Sequence, residues 1–110
     1  MIIDINLSQD VYYDLTRKSI NFDLDTNKIK EVYPKTYTNA YYEIKEYLED
    51  IGYKHRQGSG YISVHVKTFA EVEQDMIDLS NILNWLKYCI KKIDVTSVGD
   101  RYDMLEVIND

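Results

Sequence analysis

The sequence contains little of what marks an extracellular or membrane protein. Cys89 is the only cysteine in 110 residues, so no disulfide can form within the chain, which is typical of a reducing compartment. Asp, Glu or Lys interrupt every apolar run well before the roughly 18 residues of a membrane-spanning helix. The opening segment MIIDINLSQD lacks the basic flank and long apolar run of a secretory signal. We therefore expect a cytoplasmic chain with no membrane partner.

Basic residues are also in the minority. The 13 Lys and Arg residues are outnumbered by 19 Asp and Glu residues, which gives a formal net charge of −6. Proteins that coat duplex nucleic acid gain affinity by neutralising many phosphates, so this balance argues against a broad DNA-binding face. A small RNA site is still compatible with it, because a few cations and stacking aromatic rings suffice there. The 11 tyrosines offer such rings, although most tyrosines pack into a core or a dimer face.

Glycine and proline are scarce, with four and one, and the sequence has neither a repeat nor a low-complexity linker. A chain of this length with 45% hydrophobic residues suits a single core. We assign residues 1–17 to an N-terminal extension with a short strand at residues 2–7. Residues 18–110 then form the folded domain.

Residue periodicity predicts the order strand, helix, strand, strand, helix, strand for this domain. Ile20, Phe22 and Leu24 alternate with polar residues, as in a strand with one buried face. The other predicted elements are a helix at 37–51, strands at 53–57 and 61–66, a helix from the Thr68 capping box, a strand at 91–98 and a short helix from residue 103. This order predicts an α+β, ferredoxin-like fold, an antiparallel sheet with both helices on one face.

The other face of such a sheet is open, and small domains commonly bury it against a second copy, so we expect a homodimer. Strand alternation places Asp23 and Asp94 on this open face. The same rule assigns Ile62, Val64 and Val66 to the core. Alternation also predicts that Tyr61, Ser63 and His65 of the same strand face outward, toward the expected partner. Val98, the last residue of the final strand, is expected to face the partner as well.

An ordered set of short motifs resembles the virulence-associated protein D (VapD) family, whose fold is similar to that of the small CRISPR adaptation nuclease. The set covers residues 19–108 and comprises Phe22-Asp23-Leu24, Tyr33-Pro34, Ala40-Tyr41, Gly52-Tyr53, Gln57-Gly58-Ser59 followed by Tyr61, Trp85 and residues 103–108. The resemblance implies a homodimer and, for some members, endoribonuclease activity in toxin–antitoxin modules. It thereby implies RNA as substrate and a cognate antitoxin or other protein as a partner.

The resemblance also implies catalytic roles for Asp23 and for Ser59. A further family aspartate on the last strand has no direct match, because an ungapped comparison places Lys92 there and this chain has Asp94 two residues later. Side chains on a strand return to the same face every second residue, so Asp94 points the same way, displaced by roughly 7 Å. Relocation of the carboxylate and loss of activity are both open alternatives.

In an RNA-cleaving site, Asp23 would take the proton of a ribose 2′-hydroxyl and Ser59 would bind a phosphate oxygen. His55 and Arg56 would supply positive charge or the leaving-group proton. Alternatively, Asp23 and its dimer mate hold a divalent cation such as magnesium; the sequence is equally compatible with no cofactor. The predicted RNA contacts are His55, Arg56, Gln57, Tyr61 and Lys92.

Two plainer interpretations are also open. Asp23 would then only accept backbone hydrogen bonds at the end of its strand, and residues 57–60 would be an ordinary turn. The rival function is a non-catalytic acidic binding protein, an inhibitor or antitoxin-like chain that fits a basic groove of a protein partner. Its binding surface would be one side of the first predicted helix, formed by Tyr42, Glu43, Glu46, Tyr47, Glu49 and Asp50. The plainer alternative is that this side is an ordinary solvated helix face.

Overall fold

The computed structural model describes residues 5–7, 14–33 and 35–98. The helix predicted from residue 103 lies outside these ranges. The strands are β1 (Ile5–Leu7), β2 (Lys18–Leu24), β3 (Tyr53–His55), β4 (Gly60–Ser63) and β5 (Ile90–Ser97). The helices are α1 (Thr26–Val32), α2 (Tyr37–Asp50) and α3 (Phe69–Ile82), followed by a 3-10 turn at Leu86–Tyr88. None of these described helices is both long and apolar enough to cross a membrane.

The strands form one sheet in the order β1-β5-β2-β4-β3. Strands β5, β2, β4 and β3 pair antiparallel throughout. Together with α2 and α3 they form the ferredoxin-like arrangement that the sequence predicted. Strand β1 lies parallel to β5, with Ile5 opposite Ile93. Part of the predicted N-terminal extension thus adds an edge strand to the sheet, and the domain boundary at residue 17 stays a prediction.

The main core lies between one face of the sheet and helices α2 and α3. Alternation along β2 is as predicted, with Ile20 and Phe22 buried and Asn21 and Asp23 exposed. The helices contribute Ile44 and Leu48 from α2 and Val72, Met76 and Leu79 from α3. The predicted capping box begins α3, because the Thr68 hydroxyl accepts from the amide of Glu71 and the Glu71 carboxylate accepts from the amide of Thr68.

Helix α1 is an element that the sequence pattern did not predict. It has seven residues and one buried side chain, Ile29, so it shows no helical repeat of apolar positions. The Asp25 carboxylate caps it by accepting from the amide of Lys28 at 3.1 Å. Ile29 packs in a second small core with Tyr33, Ala40 and Cys89.

The predicted facing of β4 is wrong. Tyr61 pairs with Ile20 and Ile62 with Ser19, so Tyr61 shares the helix-covered face and Ile62 lies on the other face. Both are buried, with 3% and 1% of their surface exposed, and a strand buried on both faces gives no alternation from which its facing can be assigned.

Three further residues in and after β4, and Val98 after β5, also differ from the prediction. Ser63 is buried rather than open to a partner. Val64 and Val66 are 47% and 59% exposed rather than in the core, because β4 ends at Ser63. Val98 is 5% exposed, so neither it nor Tyr61 offers a surface for the dimer partner that their predicted facing suggested.

Candidate active site

The two predicted aspartates lie on the helix-free face of the sheet, as strand alternation predicted. Asn21 lies opposite Asp94, and Asp23 lies opposite Lys92. Asp23 and Asp94 are therefore diagonal neighbours on adjacent antiparallel strands, a separation of roughly 7–8 Å that long side chains or a bound phosphate can bridge. Asp23 is exposed and Asp94 is half-buried. We call Asn21, Asp23, Lys92 and Asp94 the carboxylate face.

Lys92 supplies a cation between the two carboxylates. Its ammonium lies 3.7 Å from the carboxylate of Asp94, and the two side chains are 50% and 44% exposed. An ion pair this open to water contributes only about 0–1 kcal/mol to stability. The ion pair thus contributes little to the stability of the fold. A phosphate bound at this face would meet the positive charge of Lys92, which lies next to Asp94 and opposite Asp23.

The turn between β3 and β4 is fixed against the same end of β2. The Ser59 carbonyl accepts from the amide of Phe22 at 3.1 Å. Gly58 has a φ of 56°, which favours glycine. A Cβ atom on Gly60 would lie 3.0 Å from the side-chain oxygen of Asn21, so the backbone can approach β2 this closely only without a side chain. Gly60 therefore borders the carboxylate face directly.

A shallow depression of about 280 Å³ connects this turn to the open face of the sheet. Its lining consists of Ser19, Asn21, Arg56, Gln57, Gly60 and Tyr61. Two of the predicted RNA contacts, Arg56 and Gln57, thus lie beside Asn21, which is opposite Asp94 in the sheet. The structure brings them to the same side as both aspartates.

Ser59 and His55 lie on the other side of β2. They line a pocket of about 550 Å³, the helix-side pocket, whose full lining is Phe22, Leu24, Thr38, Tyr41, Tyr42, Ile44, Lys45, His55, Gly58, Ser59 and Tyr61. A ring nitrogen of His55, Nε2, is 2.7 Å from the Gly58 carbonyl oxygen. Asp23 is not part of this lining. Ser59 and Asp23 do not share this pocket, because Ser59, in the turn between β3 and β4, lies on the helix side of β2 and Asp23 lies on the other face of the sheet.

Tyr61 is a wall of the helix-side pocket and not an outward stacking platform. Its ring packs edge-on against Phe22, with centroids 5.9 Å apart, and lies 4.9 Å from the ring of His55. Burial raises the pKa of Tyr61 to about 12, and the carboxylate of Glu49 adds to the shift. The hydroxyl is therefore protonated throughout the physiological range.

The residues that the sequence prediction missed are on α2. Thr38, Tyr41, Tyr42 and Lys45 recur at helical spacing and face the β3–β4 turn across the helix-side pocket. The i, i+3, i+4, i+7 spacing of these residues is present in the sequence, but from the sequence Tyr42 is expected on an acidic surface and no site role is predicted for the other three. Nothing in the sequence showed that this side of α2 meets the turn.

The donor set of the carboxylate face provides few ligands for a cation. Among the residues that the structure describes, no group of three or more His, Cys, Asp or Glu side chains is placed to hold a metal ion. Asp23 and Asp94 provide oxygen ligands of the type that magnesium prefers. A cation bound there would need water molecules or the carboxylates of a second copy to complete its shell.

The fold and this arrangement define a small ferredoxin-like α+β domain with paired carboxylates and basic residues on the helix-free face of its sheet. No protein-family model matches the chain. It is 33% identical over 90 residues to "Endoribonuclease VapD" of Dichelobacter nodosus and 31% identical over 91 residues to "Endoribonuclease VapD" of Helicobacter pylori. Each match spans 82% of this chain and at least 95% of the relative. "Endoribonuclease VapD 2" of Riemerella anatipestifer is 28% identical over 95 residues, 83% of this chain and 98% of that protein. The chain belongs to the VapD family.

Proposed function

We propose that this protein is an endoribonuclease that cleaves RNA at the carboxylate face. The observation that supports this most is the register of β2 and β5, which sets Asp23 and Asp94 diagonally on one open face with Lys92 beside them. The names of its VapD relatives, which describe endoribonucleases, supply the reaction. An acidic group, a basic group and exposure to a large substrate are what cleavage of a phosphodiester requires.

In the proposed reaction, Asp23 takes the proton of a ribose 2′-hydroxyl. The freed 2′-oxygen attacks the adjacent phosphorus, and the bond from phosphorus to the 5′-oxygen of the next nucleotide breaks. Lys92 offsets the charge on the phosphorane and gives a proton to the departing 5′-oxygen. The products are a 2′,3′-cyclic phosphate and a 5′-hydroxyl, and Asp94 holds Lys92 in position through their ion pair.

We also propose that the protein acts as a homodimer in the cytoplasm, as the toxin of a toxin–antitoxin pair with a cognate antitoxin as partner. The family resemblance supports the toxin role. Thr96 is exposed on the helix-free face outside the carboxylate face, and we place the contact with the second copy on that side, so that RNA still reaches Asp23 and Asp94. Light scattering at micromolar concentration should give twice the chain mass of 13.0 kDa, and a value equal to the chain mass would contradict the dimer.

The rival function as an acidic binding protein has less support from the structure. Two carboxylates of its proposed surface on α2 already have partners within the chain, since Glu49 pairs with Lys45 at 3.5 Å and Glu43 accepts a hydrogen bond from the Tyr33 hydroxyl. Tyr42, which is 61% exposed, lines the helix-side pocket. Fewer acidic groups are therefore available to a basic partner than the sequence suggested.

Incubation of the purified protein with end-labelled single-stranded RNA tests the proposed function. We expect internal cleavage with 2′,3′-cyclic phosphate ends, and parallel reactions with EDTA and with added magnesium report whether a cation is required. Cleavage that persists in EDTA and gives cyclic phosphate ends supports the route through Asp23 and Lys92. Intact RNA under every condition would contradict the proposed function and would leave the surface of α2 as the place to seek a protein partner.

A further inference from the structure

The helix-side pocket combines an apolar floor with a polar rim. Phe22 and Leu24 of β2 and Ile44 of α2 form the floor, and the buried ring of Tyr61 closes one wall. At about 550 Å³ the pocket falls within the usual range for sites that hold small organic ligands, roughly 300–1,000 Å³. Apolar and aromatic walls of this kind suit a flat ring better than they suit a bare anion.

The rim of the pocket carries hydroxyl groups, an imidazole and an ammonium group. Thr38, Tyr42 and Lys45 project from α2, and His55 and Ser59 come from β3 and the turn that follows it. The Lys45 ammonium lies 3.5 Å from the Glu49 carboxylate, in a side chain that is 40% exposed, so a phosphate can compete for it. These groups complement a ligand that joins a flat ring to an anion.

We propose that the helix-side pocket binds one nucleotide of an RNA substrate, with the base against Phe22, Tyr42 and Tyr61 and the phosphate near Lys45 and His55. This inference rests on the proposed function, which makes RNA the substrate. Proteins recognise single-stranded RNA by unstacking a base onto aromatic side chains while cations track the backbone. The pocket offers both in one place.

The pocket is joined to the carboxylate face through β2. Phe22 contributes to the pocket floor, and the next residue, Asp23, points to the opposite side of the sheet. The Ser59 carbonyl is bonded to the amide of Phe22, so the pocket rim and the end of β2 are held together. A strand of RNA with one base in the pocket passes around the end of β2, next to Asp23. In this arrangement Ser59, which lies away from both aspartates, would bind RNA at the pocket rim and would not take part in the proton transfer by Asp23.

Titration with single nucleotides tests this site. The chain, uniformly labelled with ¹⁵N, is titrated with each of the four ribonucleoside 5′-monophosphates, and with inorganic phosphate and uncharged nucleosides as separate arms. We expect saturable shifts of the amide signals of Thr38, Lys45, His55 and Ser59 with the nucleotides. The affinity for phosphate alone should be much weaker, because the base contributes through the apolar floor. Absence of saturable shifts with any nucleotide up to millimolar concentration would overturn the proposal.

Matched variants locate the binding. Tyr42→Ala and Lys45→Met should each weaken nucleotide binding about tenfold, the typical cost of removing one stacking ring or one phosphate contact. Thr38→Trp should abolish it by filling the pocket. Tyr88→Ala and Lys87→Met make the same changes at a separate surface pocket beside Trp85 and should bind like the unmodified protein. Equal losses in both pairs would overturn the assignment to this pocket.

The outcomes also separate this inference from the proposed function. If the unmodified protein cleaves RNA but Tyr42→Ala, Lys45→Met and Thr38→Trp all cleave and bind normally, the nucleotide site is wrong and the endoribonuclease function stands. If nucleotides bind in the pocket and no RNA is cut, the pocket is correct and the catalytic proposal fails. In the expected result, Asp23→Asn retains nucleotide binding and loses cleavage.

Discussion

Lys18 is a fully buried charged residue whose partners are neutral oxygen atoms. The three N–H groups of its ammonium are shared among four oxygens: the carbonyls of Thr16 and Lys67 at 3.1 and 2.6 Å, the Thr16 hydroxyl at 2.9 Å and the carbonyl of Asp14. Burial lowers the pKa of Lys18, while the carboxylates of Asp14 and Glu71 oppose that shift. The ammonium thereby ties the segment before β2 to the segment that follows β4.

Replacing Lys18 with methionine should lower the free energy of unfolding by about 3 kcal/mol. The thioether keeps most of the buried volume but removes this donor from the carbonyls of Asp14 and Lys67 and from the Thr16 hydroxyl, and each such loss costs about 1–3 kcal/mol. Urea unfolding monitored by circular dichroism measures the loss. Lys91→Met, which changes an exposed lysine of β5, is the control. Equal midpoints for the two variants would contradict the structural role of the buried ammonium.

At the scale of single elements, the sequence predicted correctly those helices and strands whose residue pattern is set by neighbours along the chain. The capping box of α3 and the alternation of β2 are local patterns, and both are present. The facing of β4 depends on its register with β2, which one buried strand does not reveal. Asp23 and Asp94 were correctly placed on one face because each placement needs only the alternation along its own strand. The separation of Ser59 from them depends on how β4 pairs with β2, and it was not predicted.

Helices α2 and α3 offer a matched test of capping. Both begin after a threonine, but only the Thr68 hydroxyl accepts a hydrogen bond from the helix, and the Thr36 side chain makes no such bond. Thr68→Ala should therefore lower the free energy of unfolding by about 1 kcal/mol. Thr36→Ala should cost much less in the same urea experiment. A larger effect at Thr36 would show that the capping box does not stabilise α3.

At the scale of the whole molecule, the sheet joins sequence segments that the predicted domain boundary separates. Strand β1 pairs with β5, and Thr16 forms an isolated bridge with Lys67. We expect the chain lacking residues 1–13 to unfold cooperatively, because β2 to β5 and the acceptors of Lys18 remain. Removal of residues 1–17 should lower stability further, since it deletes the carbonyls of Asp14 and Thr16. Equal thermal midpoints for the two truncated chains would contradict this expectation.

Buried tyrosines should make the molecule sensitive to alkali. Burial, with a hydrogen bond to Glu43, raises the pKa of Tyr33 to about 12, and burial also raises the pKa values of Tyr53 and Tyr61. Above the ordinary tyrosine pKa of about 10, the unfolded chain loses these protons while the folded chain retains them, so stability falls as the pH rises from about 10 to 12.

Lys18 acts in the opposite direction, because its lowered pKa makes stability rise with pH up to about 10.5. The pKa values of Tyr47 and of the Cys89 thiol are also raised by burial, so four tyrosines and one thiol oppose one lysine and we expect a net loss of stability. Urea unfolding at pH 8, 9.5 and 11 measures how the free energy of unfolding changes with pH. Tyr61→Phe should reduce the slope above the ordinary tyrosine pKa. Stability that is constant or rising up to pH 11 would contradict the protonated, buried state of these hydroxyls.

The most direct test of the catalytic proposal is RNA cleavage by Asp23→Asn, Asp94→Asn and the double variant, with Asp50→Asn on the exposed side of α2 as control. Each single change should reduce the cleavage rate by roughly 10² to 10⁴, with thermal midpoints unchanged because both side chains lie on an open face. The double variant should be little worse than the weaker single one, since groups that act together show non-additive losses. Normal cleavage by Asp94→Asn alone would show that the family's missing carboxylate has not moved to Asp94. Normal cleavage by both single variants would contradict the assignment of catalysis to the carboxylate face.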